Sequence, residues 1–223
     1  MRSCPGWSAS LRASPMPKVA VIRPDTLGDA VEAEMALWPD AMMAGPGAQA
    51  GIHFSDVRGA AQCTASNASA AMQSTDATLY FGHGTPSALG TPTVVDTANV
   101  STAAGKLLLA FACEAALTLG PDAHVKRVTA FLGFADIVAV VTNLPAGQSN
   151  PISDAVDHAL TLFVQGGTVD NVRYLLIREL KQVEADYNPK GPLSYLPGAS
   201  TIWLAAHVNW RGLTVLGNGS AKL

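Results

Sequence analysis

The chain has 223 residues, 48% of them hydrophobic, with 14 Lys+Arg against 17 Asp+Glu and a formal net charge of −3. That length and apolar content supply the core of one sizeable α/β domain, and the acidic balance excludes the basic surface of a nucleic-acid binder. Three widely spaced cysteines, Cys4, Cys63 and Cys113, make neither a disulfide framework nor a metal-binding pair, so no cofactor and a reduced, cytoplasmic setting are expected.

Residues 1–16 carry Arg2, Arg12, prolines and serines without the apolar stretch of a secretory signal, and read as a disordered tail. Met16 is a second candidate start, and residues 17–223 read as a single domain. Lys18–Arg23 is a β-branched run that Pro24 and Asp25 end, which predicts a buried first strand. Leu27, Val31, Met35 and Trp38 have helical spacing, and Pro and Gly then predict a loop through Gly51. Gly51–Ser55 reads as a second strand and the Ala-rich Arg58–Gln73 as a second helix.

From Thr78 the pattern is stronger. Thr78–Phe81 predicts a strand that runs into Gly82-His83-Gly84, where glycines permit a sharp turn. Lys106–Ala112 is a continuous apolar run with Cys113 at its end, and Glu114–Thr118 begins a helical pattern. Val128–Phe134 predicts the next strand, Ser153–Val164 and Val169–Ala185 predict helices either side of Gly166-Gly167, and Thr201–Ala206 and Leu213–Leu216 read as the last strands. Val172–Ala185 sets Arg173, Arg178, Glu179, Lys181 and Glu184 between apolar positions, the mark of an amphipathic helix with one solvated face. The runs Leu107–Gly120 and Val128–Val141 are broken by Glu114 and Asp136 and are too short for a membrane span.

Apolar strands alternating with helices predict a three-layer α/β sandwich, with a mostly parallel sheet between helices. Such sheets bind ligands at the carboxyl ends of their strands. His83 and Cys113 both fall there, on consecutive strands expected to be neighbours. A lone cysteine in an apolar run is more often a core residue. Paired with an imidazole at the next strand end, however, it has the parts of a nucleophile and its base, because the imidazole takes the thiol proton and returns it to a leaving amine.

The stretches Tyr80-Phe-Gly-His-Gly-Thr-Pro86, Lys106-Leu-Leu-Leu-Ala-Phe-Ala-Cys-Glu-Ala-Ala116 and Ala130-Phe-Leu-Gly-Phe134 resemble, in order and spacing, the core motifs of clan CD cysteine peptidases, above all the CHAT-domain and gingipain-like members. Phe163-Val-Gln-Gly-Gly-Thr-Val169 and Gly212-Leu-Thr-Val-Leu-Gly217 resemble their late helix step and closing strand. The resemblance implies a caspase-like fold and endopeptidase activity on a specific protein substrate in a bacterial regulated-proteolysis or defence system, with room for a regulatory protein partner. It implies His83 as general base and acid, Cys113 as nucleophile, and the Gly84 and Cys113 amides as an oxyanion hole. Several basic-specific relatives carry an acidic residue two positions before the cysteine, where this chain has Phe111, so the preference for the residue before the cleaved bond stays open. Asp25 and Arg23 are charged loop residues that are also candidates to line a pocket for it, and Asp136, just past the strand ending at Phe134, has the same ambiguity.

Two other readings remain. A DJ-1/PfpI-like hydrolase or glyoxalase also pairs a Gly-His-Gly turn with a strand-end cysteine, but would place that cysteine on a strained elbow beside a glutamate. An inactive caspase-like scaffold would only bind partners. Gly45–Ala50 matches a dinucleotide fingerprint formally, but no strand precedes it and Pro46 interrupts it. His53, His124, His158 and His207 lack metal-ligand spacing. The Asn-X-Ser/Thr triplets at Asn67, Asn99 and Asn218 read as chance matches in a chain without a secretory signal.

Overall fold

Continuous apolar runs bury both faces of a strand, and here they build a six-stranded sheet. In the computed structural model, which describes residues 16–223, these strands are β1 (Lys18–Arg23), β2 (His53–Arg58), β3 (Ala77–Phe81), β7 (Leu107–Phe111), β8 (Ala130–Phe134) and β9 (Leu213–Gly217). The tail expected over residues 1–16 lies outside the described residues apart from Met16. The order is β2-β1-β3-β7-β8-β9, parallel except for β9, which runs antiparallel to β8. Three two-residue strands, β4 (Gly84–Thr85), β5 (Ala88–Leu89) and β6 (Val95–Asp96), form a small antiparallel sheet that starts one residue after His83.

The period-2 alternation of the strands divides the core in two. Leu107, Leu109 and Phe111 face one layer with Leu79, Phe81, Leu132 and Phe134. Leu108 and Ala110 face the other with Ile22, Tyr80 and Phe131. The first layer is covered by α1 (Ala30–Met35), α2 (Asp40–Met42), α5 (Pro151–Val164), α6 (Val169–Tyr187) and α7 (Ala199–Gly212), and the second by α3 (Ala65–Ser74) and α4 (Leu119–Val125). Helices thus lie on both faces of a mostly parallel sheet, the three-layer α/β arrangement expected from the alternating runs.

Several elements depart from the sequence expectation. Thr201–Ala206 is not a strand but part of α7: its apolar residues do not alternate, and a buried helix segment and a buried strand look alike over so short a run. The predicted loop after Trp38 instead contains α2 and a π-helical turn at Met43–Gly47, where Gly47 lies so close to the Phe54 ring that a Cβ would sit 2.5 Å from it. Glu114–Thr118 forms turns and the helix begins only at Leu119. The first helix starts at Ala30 because Asp29 caps it, accepting N–H bonds from Val31 and Glu32 at 2.9 and 3.0 Å. The second strand and helix each begin later than predicted, at His53 and Ala65.

Candidate functional site

His83 follows β3 by two residues. Tyr80, buried on the strand, donates its hydroxyl to the His83 carbonyl at 3.0 Å, and the Gly90 N–H donates to the same oxygen at 2.9 Å. Burial raises the Tyr80 phenol well above its ordinary value, so it remains a donor. Gly82 allows the turn: a Cβ there would stand 2.9 Å from the Tyr80 hydroxyl and 3.2 Å from Pro24.

Cys113 follows β7 by two residues. The register of β3 on β7 pairs Phe81 with Phe111, and His83 and Cys113 each lie two residues beyond that pair. The two chains then approach too closely for any side chain between them. A Cβ on Gly84 would lie 2.7 Å from the Cys113 carbonyl oxygen and 3.2 Å from its nitrogen. Cys113 is partly exposed and its N–H has no acceptor among the described residues. No hydrogen bond joins the imidazole to the sulfur. Both sequence-predicted residues lie just past the carboxyl ends of neighbouring parallel strands, and Gly84 lies against Cys113.

The sequence reading missed Asp29. Its Oδ2 lies 2.7 Å from His83 Nε2 while Oδ1 caps α1. The Glu32 N–H and then the His83 imidazole hold the Asp29 carboxyl below its ordinary value. One carboxylate thus starts a helix and fixes an imidazole. Asp29-Ala-Val-Glu32 is an Asp-x-x-Glu capping pattern, a signal for the cap but not for the histidine.

Beside this pair a pocket of about 420 Å³ is lined by Thr26, Asp29, Glu32, His83 and Thr91. Glu32 is 1% exposed; one carboxyl oxygen accepts the Thr26 N–H at 3.2 Å, and the other has no partner. The two charges proposed from sequence for a specificity pocket do not line it. Arg23 is buried and bonded to Asp56 and Asp40 and to the Ala36 carbonyl, while Asp25 pairs with Arg58 at 2.9 Å. Phe111 is fully buried in the sheet core and does not line this pocket.

A loop from Ala135 to Asn150 passes over Cys113: the Val138 N–H donates to its Sγ at 3.2 Å. Asp136 lies at its start, where its carbonyl accepts the Glu114 N–H at 2.9 Å and its carboxyl accepts the Ile137 N–H at 2.7 Å. The only residue of the cysteine turn with a left-handed backbone is Glu114, at φ 55°. Strain therefore falls one residue past the cysteine, and no glutamate bonds the sulfur, unlike the elbow that the DJ-1/PfpI reading requires. Among the described residues no His, Cys, Asp and Glu side chains cluster to hold a metal ion, and no helix is long and apolar enough to cross a membrane.

No protein-family model matches the chain, and no curated protein matches it. Solved structures do. A structure described as a protease aligns with a TM-score of 0.53 and 16% identity. The complex of the pro- and mature domains of RgpB from Porphyromonas gingivalis aligns at 0.51 and 14%, and the Arg specific cysteine proteinase gingipain R at 0.51 and 13%. Each alignment covers 93% of this chain and 48% of the other, so the chain spans about half the length of these structures. The architecture is the caspase-like α/β fold of these cysteine peptidases.

Proposed function

We propose that the chain is a cysteine endopeptidase in which Cys113 is the nucleophile, His83 its base and acid, and Asp29 the residue that orients the imidazole. The observation that supports this reading is that His83, tied by Nε2 to Asp29, and Cys113 each follow by two residues the carboxyl end of one of two neighbouring parallel strands. With Nε2–H directed at the carboxylate, Nδ1 is the nitrogen left to exchange protons. It takes the Cys113 proton as sulfur attacks the scissile carbonyl carbon. The oxyanion formed accepts from the Gly84 and Cys113 amides, on turns that approach closely. His83 then protonates the leaving amine, and a water hydrolyses the acyl-sulfur bond as the imidazole removes its proton.

The substrate side chain is cationic. The pocket beside His83 is lined by two carboxyl groups, Asp29 and Glu32, and a guanidinium or ammonium group supplies the charge that balances them. The likeness to a proteinase described as Arg specific agrees with this. A specific protein target in a bacterial regulated-proteolysis or defence setting follows from the motif resemblance, and a regulatory partner fits the same setting.

A fluorogenic peptide library that varies the residue before the cleaved bond tests the proposal, comparing wild type with Cys113→Ala. Cleavage after Arg or Lys, lost in the variant with its circular dichroism unchanged, is the expected result. Equal cleavage by both proteins removes Cys113 from the mechanism. A wild type that cleaves nothing while its thiol remains reactive points to the binding scaffold instead.

A further inference from the structure

The loop that reaches Cys113 is held by one side chain from the far end of the chain. Asn209 on α7 is 2% exposed, and its carboxamide bonds both sides of Ala139: Oδ1 accepts the Ala139 N–H at 2.8 Å, and Nδ2 donates to the Ala139 carbonyl at 2.9 Å. The adjacent residue is Val138, whose N–H donates to Cys113 Sγ.

Helix packing alone does not call for an amide here. Position 209 lies on the buried face of α7, in line with Ile202, Ala205 and Ala206. An apolar side chain would fill that space without desolvating a polar group, whereas a buried amide is tolerated only when its donor and acceptor are both matched. Both are matched, and by the same loop residue. A second tie, from Asn150 Nδ2 to the Val141 carbonyl at 3.0 Å, fixes the loop farther from the sulfur.

We propose that Asn209 is a positioning residue for the nucleophile: by clamping Ala139 it keeps the Val138 N–H aimed at the Cys113 sulfur. A donor there fixes where the sulfur lies and stabilises negative charge that develops on it, so the clamp sets how readily Cys113 reacts. The inference rests on the peptidase reading for its purpose, but not for its test.

The test is the rate of Cys113 alkylation by iodoacetamide at neutral pH in a Cys4→Ser background, read by mass spectrometry, with no peptide substrate. Protection of the buried Cys63 reports in the same spectra that the protein is folded. In Asn209→Ala and Asn209→Leu the reaction at neutral pH should slow by about threefold to tenfold. Asn150→Ala, which loosens the loop without touching the clamp, should leave the rate in place. An unchanged rate in folded Asn209 variants overturns the proposal, as does equal slowing in Asn150→Ala. If neither Asn209 variant protects Cys63, the wild type decides by NMR: the Val138 backbone amide and the Asn209 side-chain amide should move together when Cys113 is alkylated, and independence overturns the clamp. A slowed reaction in a protein that cleaves no peptide would keep the clamp and sink the peptidase reading. Cleavage with an unchanged rate would do the reverse.

Discussion

Phe81 and Phe111 stack with ring centroids 4.9 Å apart and planes 8° from parallel, one step of the strand pleat below His83 and Cys113. Phe111 also contacts Trp38 edge-on and Phe134 at a tilt. The pair makes a slip of β3 against β7 costly, because a one-residue shift would break the stack and turn His83 to the opposite face. Phe111→Leu should cost about 1–3 kcal/mol of stability. It should also lower kcat more than it raises KM, since it displaces the reacting groups rather than the pocket. Chemical denaturation and peptide kinetics check the two halves separately.

Asp29→Asn should lower kcat/KM by about 10²–10⁴, because the amide can no longer accept the Nε2 proton in the same way and the imidazole loses its orientation. Its effect on stability depends on pH. The folded-state carboxyl titrates below its unfolded value, so it contributes stability above about pH 4 that is lost as the pH falls through the lowered folded value. The gap in melting temperature between wild type and Asp29→Asn should therefore be open at neutral pH and close in stronger acid. A gap that widens in acid contradicts the pairing.

Gly84→Ala places a methyl 2.7 Å from both the Ala112 Cβ and the Cys113 carbonyl oxygen. Backbone cannot yield as a flexible side chain does, so the two turns must separate. A stability loss of about 1–3 kcal/mol is expected, with more than about a tenfold fall in kcat as the paired amides move apart. Thermal melts and kinetics together would show whether activity falls further than folding explains.

The two described cysteines should differ in reactivity. Cys63 donates its thiol to the Val57 carbonyl at 3.2 Å, and burial pushes it up to about 11. Cys113 is partly exposed. With Cys4 replaced by Ser, iodoacetamide at pH 8 should modify Cys113 at least about a hundredfold faster than Cys63. Faster labelling of Cys63 would contradict the site.

Arg23 joins the end of β1 to α2 and to β2 through Asp40 and Asp56. The guanidinium side chain is 4% exposed, whereas the two carboxylates are 44% and 36% exposed. Removing the acids strands a buried cation, while removing the cation leaves acids that water can reach. Asp40→Asn with Asp56→Asn should cost about 3–5 kcal/mol, and Arg23→Met clearly less. Urea unfolding of the two variants tests the order.

The sheet and the strand-end positions of His83 and Cys113 were legible because their signals are local. Apolar runs ending in His-Gly and Ala-Cys mark strand ends wherever the chain folds into a parallel sheet. Asp29 was not legible as a site residue, since a helix cap is visible in four residues while its bond to His83 depends on β1 lying beside β3. Glu32 and Asn209 were hidden for the same reason: each is a polar residue on a helix, and only packing shows that one faces a pocket and the other a loop. Thr201–Ala206 was misread because a helix buried in the core shows no polar face to mark its period.

The clamp also has a consequence in time. A ribosome delivers the thiol, the imidazole and the aspartate in the first part of the chain, and Asn209 long after them. Until α7 docks, the loop over the sulfur has no anchor at Ala139, so a growing polypeptide would carry Cys113, His83 and Asp29 before it carries the residue that holds the loop. On the peptidase reading, that delay protects the nascent chains around it.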